Sequence, residues 1–485
     1  MVRIPRCMST QHPDNVSIPF FSSMQRIGGE DEVKEAYYAY SHLGCDEQMW
    51  DYEGKEVDNF VVKKLLTKYE SYFREKRLGK DLFLTLRVPN PTIEKAEAKI
   101  LLETLESIPR SYDAAKLFYK DDLAPIFEVI LPMTMSHRCL DRIYKYYTDF
   151  IIDRQHRRFK DDDISIFDWI GEFKPEKINV IPLVEDINQM LVVDEIVAEY
   201  VKDKQVDHQR VFLARSDPAM NYGIVSAVLV NKIALRKLEK LSSGIGIPIY
   251  PIIGVGSAPF RGNLRPDNVE QVLSEYKSAH TFTLQSAFKY DNPVNDVEAA
   301  IEKIKAFNPQ KAQEIDEKRA LDIVGRYSKE YQKQIVGLAP IINAVARYVP
   351  GRRQRKLHIG LFGYARNMGG VTLPRVITFT CALYSIGLPP EILALNALTK
   401  DDLDFIRSVY SGFDQDIKDA LKFYNKDSQF VPQPVREAVE EMFGYEVNGG
   451  YISMSEHIGK SIIKNNTEHL AEQVLMQANM RRFLG

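Results

Sequence analysis

Glu185 closes the apolar run INVIPLVE, and Asp217 follows RVFLARSD, with one stretch of helical periodicity between them. Parallel strands joined by a single crossover are usually neighbours, so carboxylates placed this way converge on one end of a sheet. Two carboxylates with room for water and substrate oxygens suit a hard divalent cation, Mg2+ or Mn2+. An acid after a strand is also a common helix N-cap or surface residue, and spacing leaves both readings open. Arginines form the second group. Arg87 ends LFLTLR; Arg261 and Arg265 lie in GVGSAPFRGNLRPDN; Arg352, Arg353 and Arg355, with Lys356, follow Pro350-Gly351; Arg366 and Arg375 bracket NMGGVTLP. Guanidinium groups match phosphate and carboxylate geometry through paired hydrogen bonds, so a polyanionic substrate needs several in one pocket. The 352–356 run reads equally as a solvated basic loop. Arg375 opens the largely apolar PRVITFTCALYSIG, where a charge needs an anionic partner to offset its desolvation. His12 sits in STQHPDN, where Pro13 forces an extended backbone, so no helix can bury the ring. Such a histidine is either a proton-transfer group or a surface residue.

Other chemistries find no support. GVGSAP after a strand lacks the third glycine of a dinucleotide fingerprint, and no phosphate-binding GxxxxGK[ST] occurs, so a nucleotide cofactor is not expected. No Ser/His/Asp, Cys/His or HExxH arrangement points to hydrolysis through an activated side chain. Lys and Arg number 64 against 67 Asp and Glu, a net charge of -3, which removes the electrostatic basis for general nucleic-acid binding. Four scattered cysteines read as reduced thiols. The opening MVRIPRCMSTQHPDN is too polar for a signal peptide, and no apolar run approaches a membrane span. A soluble, cytoplasmic protein is expected.

The elements that must position these residues alternate. Strand candidates are Leu82–Val88, Pro125–Leu131, Ile178–Val184, Arg210–Ala214, Ile247–Val255, Thr281–Leu284 and Leu357–Phe362. Most are continuous apolar runs, as in parallel strands buried on both faces. Between them lie helical stretches such as Thr92–Ile108, Asn188–Val201 and Ile224–Leu241. Repeated strand-then-helix units predict a doubly wound sheet or a (β/α)8 barrel. Arg87, Glu185, Asp217 and Arg261 all fall at or just beyond strand ends, the rim where barrel enzymes build their sites, which favours the barrel. The expectation is an α/β chain of one large unit, residues 1–485. Its barrel core spans roughly 80–400, with extra helices over 400–485.

Several blocks then resemble one family in order along the chain. MSTQHPDN (8–15), GCDEQMWDYEGKEVD (44–58), PLVEDINQM (182–190), LARSDPAMNYG (213–223), GSAPFRGNL (256–264), GRRQRKLHIGLFGYAR with GGVTLPR (351–375) and the ending ANMRRFLG are similar to archaeal-type phosphoenolpyruvate carboxylases. The resemblance implies an elaborated (β/α)8 barrel, usually a homotetramer. It also implies carboxylation of phosphoenolpyruvate by bicarbonate, through carboxyphosphate and the enolate of pyruvate, to oxaloacetate and phosphate. It assigns Glu185 and Asp217 to Mg2+ or Mn2+, His12 to catalysis, and Arg87, Arg261 and Arg375 to the reacting groups. Arg265, Arg366 and one or more of Arg352, Arg353 and Arg355 are assigned to substrate binding. One departure is local: the family's glycine-rich arginine loop is replaced by SAPFRGNLRP, stiffened by Pro259 and Pro266. The nearest rival is another barrel enzyme of oxo-acid enolates, of the isocitrate lyase type, which needs no bicarbonate. A non-enzymatic helical scaffold is a distant third.

Overall fold

Eight parallel strands close on themselves in a computed structural model that describes residues 3–96, 98–356, 366–446 and 448–485. They are β1 (Cys7–Ser9), β2 (Glu47–Asp51), β3 (Phe83–Arg87), β4 (Glu128–Leu131), β5 (Asn179–Val184), β6 (Gln209–Ala214), β7 (Ile249–Gly254) and β8 (Thr281–Leu284). Closure rests on the shortest of them. Met8 of β1 pairs with Glu47 of β2 on one side and with Thr283 of β8 on the other. The doubly wound alternative would leave two sheet edges and is thereby excluded.

Six strands fall where the apolar runs predict them, because Val- and Ile-rich segments such as NVIPLV are buried on both faces. The barrel strands nevertheless run from residue 7 to residue 284, so the 80–400 expectation for the core is corrected at both ends. β1 is three residues long, and β2 (EQMWD) carries Glu47, Gln48 and Asp51, so neither shows an apolar run. The strand expected at 357–362 lies outside the described residues. Of the helices around the barrel, Ile224–Ile245 is buried at every position from Ile224 to Leu235, and the 30-residue helix Glu317–Ala346 packs against it. Among the described residues no single helix is long and apolar enough to cross a membrane.

The barrel interior is layered. Midway up, Met8, Met49, Ile130, Ile181, Leu183, Phe212 and Ile252 form a dry plug. Below it, at the strand starts, Arg210 donates to Glu47 Oε1 and Oε2 (2.8 and 2.7 Å) and to Glu128 Oε2 (2.9 Å), all fully buried. The two carboxylates hold the Arg210 guanidinium above its ordinary value against the desolvation that opposes it. Arg210→Met leaves both acids without their counter-charge. We expect it to lower unfolding free energy by about 3–5 kcal/mol, the cost of breaking a buried pair from one side. Urea unfolding followed by circular dichroism would read this as a lower midpoint at unchanged slope.

Candidate active site

Above the plug, every strand end that carries a candidate residue points to the same rim. His12 lies beyond β1, Asp51 ends β2, Arg87 ends β3, Glu185 follows β5, Asp217 follows β6, and Arg261 follows β7. The pairing Val184↔Leu213 makes β5 and β6 neighbours, so Glu185 and Asp217 follow the ends of adjacent strands.

The N-cap reading of the two acids is settled by their neighbours. Asp186, not Glu185, caps the helix Ile187–Leu191, accepting from the Asn188 amide at 2.9 Å and from Tyr222 Oη at 2.6 Å. Asp217 stands in the first turn of the helix Ser216–Tyr222, whose N-cap position is Arg215. Both Glu185 and Asp217 are half-buried. Two adjacent carboxylates are hard oxygen donors. Among the described residues no group of three or more His, Cys, Asp and Glu could hold a metal ion by itself. The donor set therefore fits a cation that completes its shell with water and substrate oxygens, the habit of Mg2+.

Arg261 is positioned by its loop. Pro259–Arg261 forms a single tight turn ended by Gly262 at φ 119°, where a Cβ would meet Val255 Cγ1 at 2.5 Å. At Gly256 a Cβ would come 3.0 Å from Arg261 Cζ, so a larger residue there would press on the guanidinium. The buried guanidinium reaches Asp14 Oδ2 (3.2 Å), Ser216 Oγ (3.2 Å), the Gly485 carbonyl (2.5 Å) and the Gln285 side chain. Burial pulls its pKa down, and Asp14 and Asp217 oppose that pull. Asp14 in turn accepts from the Ala287 amide at 2.7 Å, which ties the segment after His12 to the short helix Ser286–Tyr290 that follows β8.

On the opposite side of the rim, Asp51 collects cations. Arg87 grips it with two hydrogen bonds (2.7 and 2.6 Å) and adds Glu53 at 3.0 Å, and Lys55 pairs with the same carboxylate. The Asp51 amide donates to Gln11 Oε1 at 2.9 Å, next to His12. Lys55 is buried; its pKa is driven well below the usual ammonium value by desolvation first, then by Arg87, Arg355, Arg353 and Arg375. Arg355 is lowered in the same way, by burial and then by Arg375, Arg353 and Arg87. Cations that depress one another's pKa form an anion pocket.

His12 faces this pocket. Thr10 Oγ1 donates to the Leu284 carbonyl (3.3 Å) and sits 2.9 Å from His12 Nδ1, so Nδ1–H donates to the hydroxyl and Nε2 keeps the lone pair. Desolvation, then Arg87, Lys55, Arg261 and Arg355, push the His12 pKa well below its ordinary 6.5. The ring is held neutral.

The remaining candidates separate. Arg353 is fully buried and committed to Glu35 (2.8 and 2.9 Å) and Glu32 (3.3 Å). Arg352 donates to the carbonyls of Asn15 and Val16. Both therefore spend their hydrogen bonds on the protein, and Arg355 is the member of the cluster that stands among the rim cations. Arg265 pairs with buried Asp419 (3.0 Å) and with Asp267 (3.3 Å) and joins neither group. Arg375 is half-buried at the start of the helix Val376–Ser385. Arg366 begins a two-stranded hairpin (Arg366–Met368 with Val371–Leu373), and its side chain lies outside the described residues. Lys55 and Asp51 escaped sequence reasoning. Both lie in the block GCDEQMWDYEGKEVD (44–58), but β2 is too polar to be recognised as a strand, so nothing marked Asp51 as a strand end.

Comparisons with known proteins give the family. A family model described as phosphoenolpyruvate carboxylase matches residues 4–485. The phosphoenolpyruvate carboxylase of Methanothermobacter thermautotrophicus is 57 % identical over 484 residues, covering 100 % of both chains. That of Methanospirillum hungatei is 56 % identical with the same coverage. That of Pyrococcus furiosus is 52 % identical over 90 % of this chain and 95 % of its own. With a matching family model over almost its whole length and full-length relatives far above 30 % identity, the chain belongs to the phosphoenolpyruvate carboxylase family.

Proposed function

We propose that the rim cluster is where this member of the family joins phosphoenolpyruvate and bicarbonate to give oxaloacetate and phosphate. The convergence of six basic side chains (His12, Lys55, Arg87, Arg261, Arg355 and Arg375) beside two adjacent carboxylates supports the reading. Phosphoenolpyruvate brings a phosphate and a carboxylate, and bicarbonate adds a third anion. Bringing three anions into contact requires a pocket whose cations are already assembled.

The steps follow from that requirement. A bicarbonate oxygen attacks phosphorus, and the bond from phosphorus to the enol oxygen breaks, giving carboxyphosphate and the enolate of pyruvate. Arg87, Lys55, Arg355 and Arg375 hold the phosphoryl oxygens and bicarbonate against each other and spread the transferring charge. Asp51 fixes two of those cations through one carboxylate. His12 Nε2 takes the carboxyphosphate proton as carboxyphosphate breaks into CO2 and phosphate. The enolate carbon then attacks CO2 before water can protonate it, so the pocket must exclude solvent during that interval. Glu185 and Asp217 would hold Mg2+ or Mn2+, which supplies Lewis-acid stabilisation of oxygen charge when bound. We also propose a cytoplasmic homotetramer, a reading supported by the family resemblance.

Incubation with phosphoenolpyruvate, Mg2+ and bicarbonate, with oxaloacetate and phosphate followed in parallel, tests the reading. Equal, bicarbonate-dependent yields are expected; pyruvate or cleavage products at every bicarbonate level would overturn it. Lys55→Met tests the pocket itself. Losing one charged hydrogen bond to substrate, about 1.5–3 kcal/mol, should cut kcat/KM for phosphoenolpyruvate roughly 10- to 100-fold, mostly through KM. An unchanged KM would place Lys55 outside the substrate's reach.

A further inference from the structure

Between the helix His137–Lys145 and β5 the chain leaves the barrel wall. After the turns Tyr146–Ile152 and Asp153–His156, it runs out and back through a bridge between Arg158 and Ser165, then makes the short helix Ile166–Ile170. This helix buries none of its residues, although a capping box between Ser165 and Asp168 defines its start. Phe159, Ile164, Phe167, Trp169 and Ile170 are each 48–65 % exposed. Phe159 and Trp169 meet edge to face with centroids 5.2 Å apart, so the excursion has a shape of its own. A shaped projection with five large apolar side chains facing water marks a contact surface.

The charges on the same projection say what covers it. Arg157, Arg158 and Lys160 are followed at once by Asp161, Asp162 and Asp163. All six are exposed, and among the described residues none has an ion-pair partner within the chain. Residues 157–163 are neutral as a whole and polarised along their length, and Asp168, held in the capping box with Ser165, adds one negative charge. A surface of that kind complements itself under a two-fold rotation: the cationic half of one copy meets the anionic half of the other, while the apolar groups meet at the axis. We propose that residues 157–170 form an isologous interface with a second copy of this chain. The inference rests on the homotetramer reading above and gives it a location.

Sedimentation velocity on the full-length protein at micromolar concentration tests it. The wild type is expected to sediment as a multimer, and Phe167→Ser with Trp169→Asp should produce a species of half the mass. Reversing the cations (R157E, R158E, K160E) should weaken the assembly at least tenfold, and adding D161K, D162K and D163K should restore it. Because all six charged positions are exposed, these variants carry the test even if the apolar pair fails to fold. Trp169 is one of two tryptophans and the other, Trp50, is buried, so its emission should shift to the blue as the wild-type protein associates. A wild-type multimer unaffected by either set of substitutions overturns the interface and leaves the assembly reading standing. A wild type that stays monomeric overturns both.

Discussion

His12→Asn is expected to reduce oxaloacetate formation by about 10²- to 10⁴-fold, the span of one proton-transfer group, while phosphoenolpyruvate is still consumed and pyruvate appears. The split follows from the geometry. The cations that assemble phosphate and bicarbonate come from other strands, so phosphoryl transfer survives the substitution. What is lost is Nε2, presented by Thr10 on the far side of the ring. Without it carboxyphosphate persists, and the enolate is protonated before CO2 forms. Equal loss of oxaloacetate and pyruvate would assign His12 to an earlier step. The pH dependence has a definite sign. Desolvation and four cations hold the folded-state pKa of His12 below 6.5, so the unfolded chain binds more protons in that window. Stability is therefore undiminished by this group above about 6.5 and falls as pH drops from there toward the folded value. Bound substrate anions neutralise Arg87, Lys55 and Arg355, and must raise the His12 pKa. The acid limb of the kcat profile should accordingly lie at higher pH than that of kcat/KM, and disappear from both in the Asn variant.

The double substitution Glu185→Gln, Asp217→Asn should cost about 10³-fold or more in turnover, since loss of a charge-stabilising cation removes several kcal/mol from the transition state. It should also abolish Mn2+ binding measured by electron paramagnetic resonance in the absence of substrate, with the circular dichroism spectrum unchanged. Retained Mn2+ affinity would sink the assignment whatever happened to activity. Asp186→Asn is the instructive control. Its carboxylate caps a helix and accepts from Tyr222, so it should alter stability by about 0.5–2 kcal/mol and leave Mn2+ binding intact.

The segment that carries His12 also rests on a layer of buried charge outside the anion pocket. Lys289, just past β8, donates to Ser9 Oγ and to the Thr10 carbonyl (both 3.0 Å) and faces Glu35. Glu35 binds Arg353, and Ile27 pairs with the backbone beside that arginine. The segment that delivers Arg355 is thus bolted to the strand that delivers His12.

Much of this was legible in the residues themselves. Strands β3 to β8 announce themselves because a parallel strand covered on both faces must be apolar along its whole length, and the rim residues follow because each stands where such a run stops. The ordered blocks carried the family. The closure of the barrel was not legible, because β1 is too short to show a pattern and β2 turns Glu47 and Asp51 into the interior, where Arg210 and Arg87 receive them. Nor could spacing say which of Arg352, Arg353 and Arg355 serves the pocket, or that Lys55 belongs to it. A charged side chain has no periodic signature. Its role is fixed by the partner that folding brings to it, and Arg353 finds Glu35 more than 300 positions away in the chain. The sequence by itself determined a parallel α/β class of fold and which charged residues stand at its strand ends. Only the tertiary structure decided which charges are spent on one another and which are left facing the substrate.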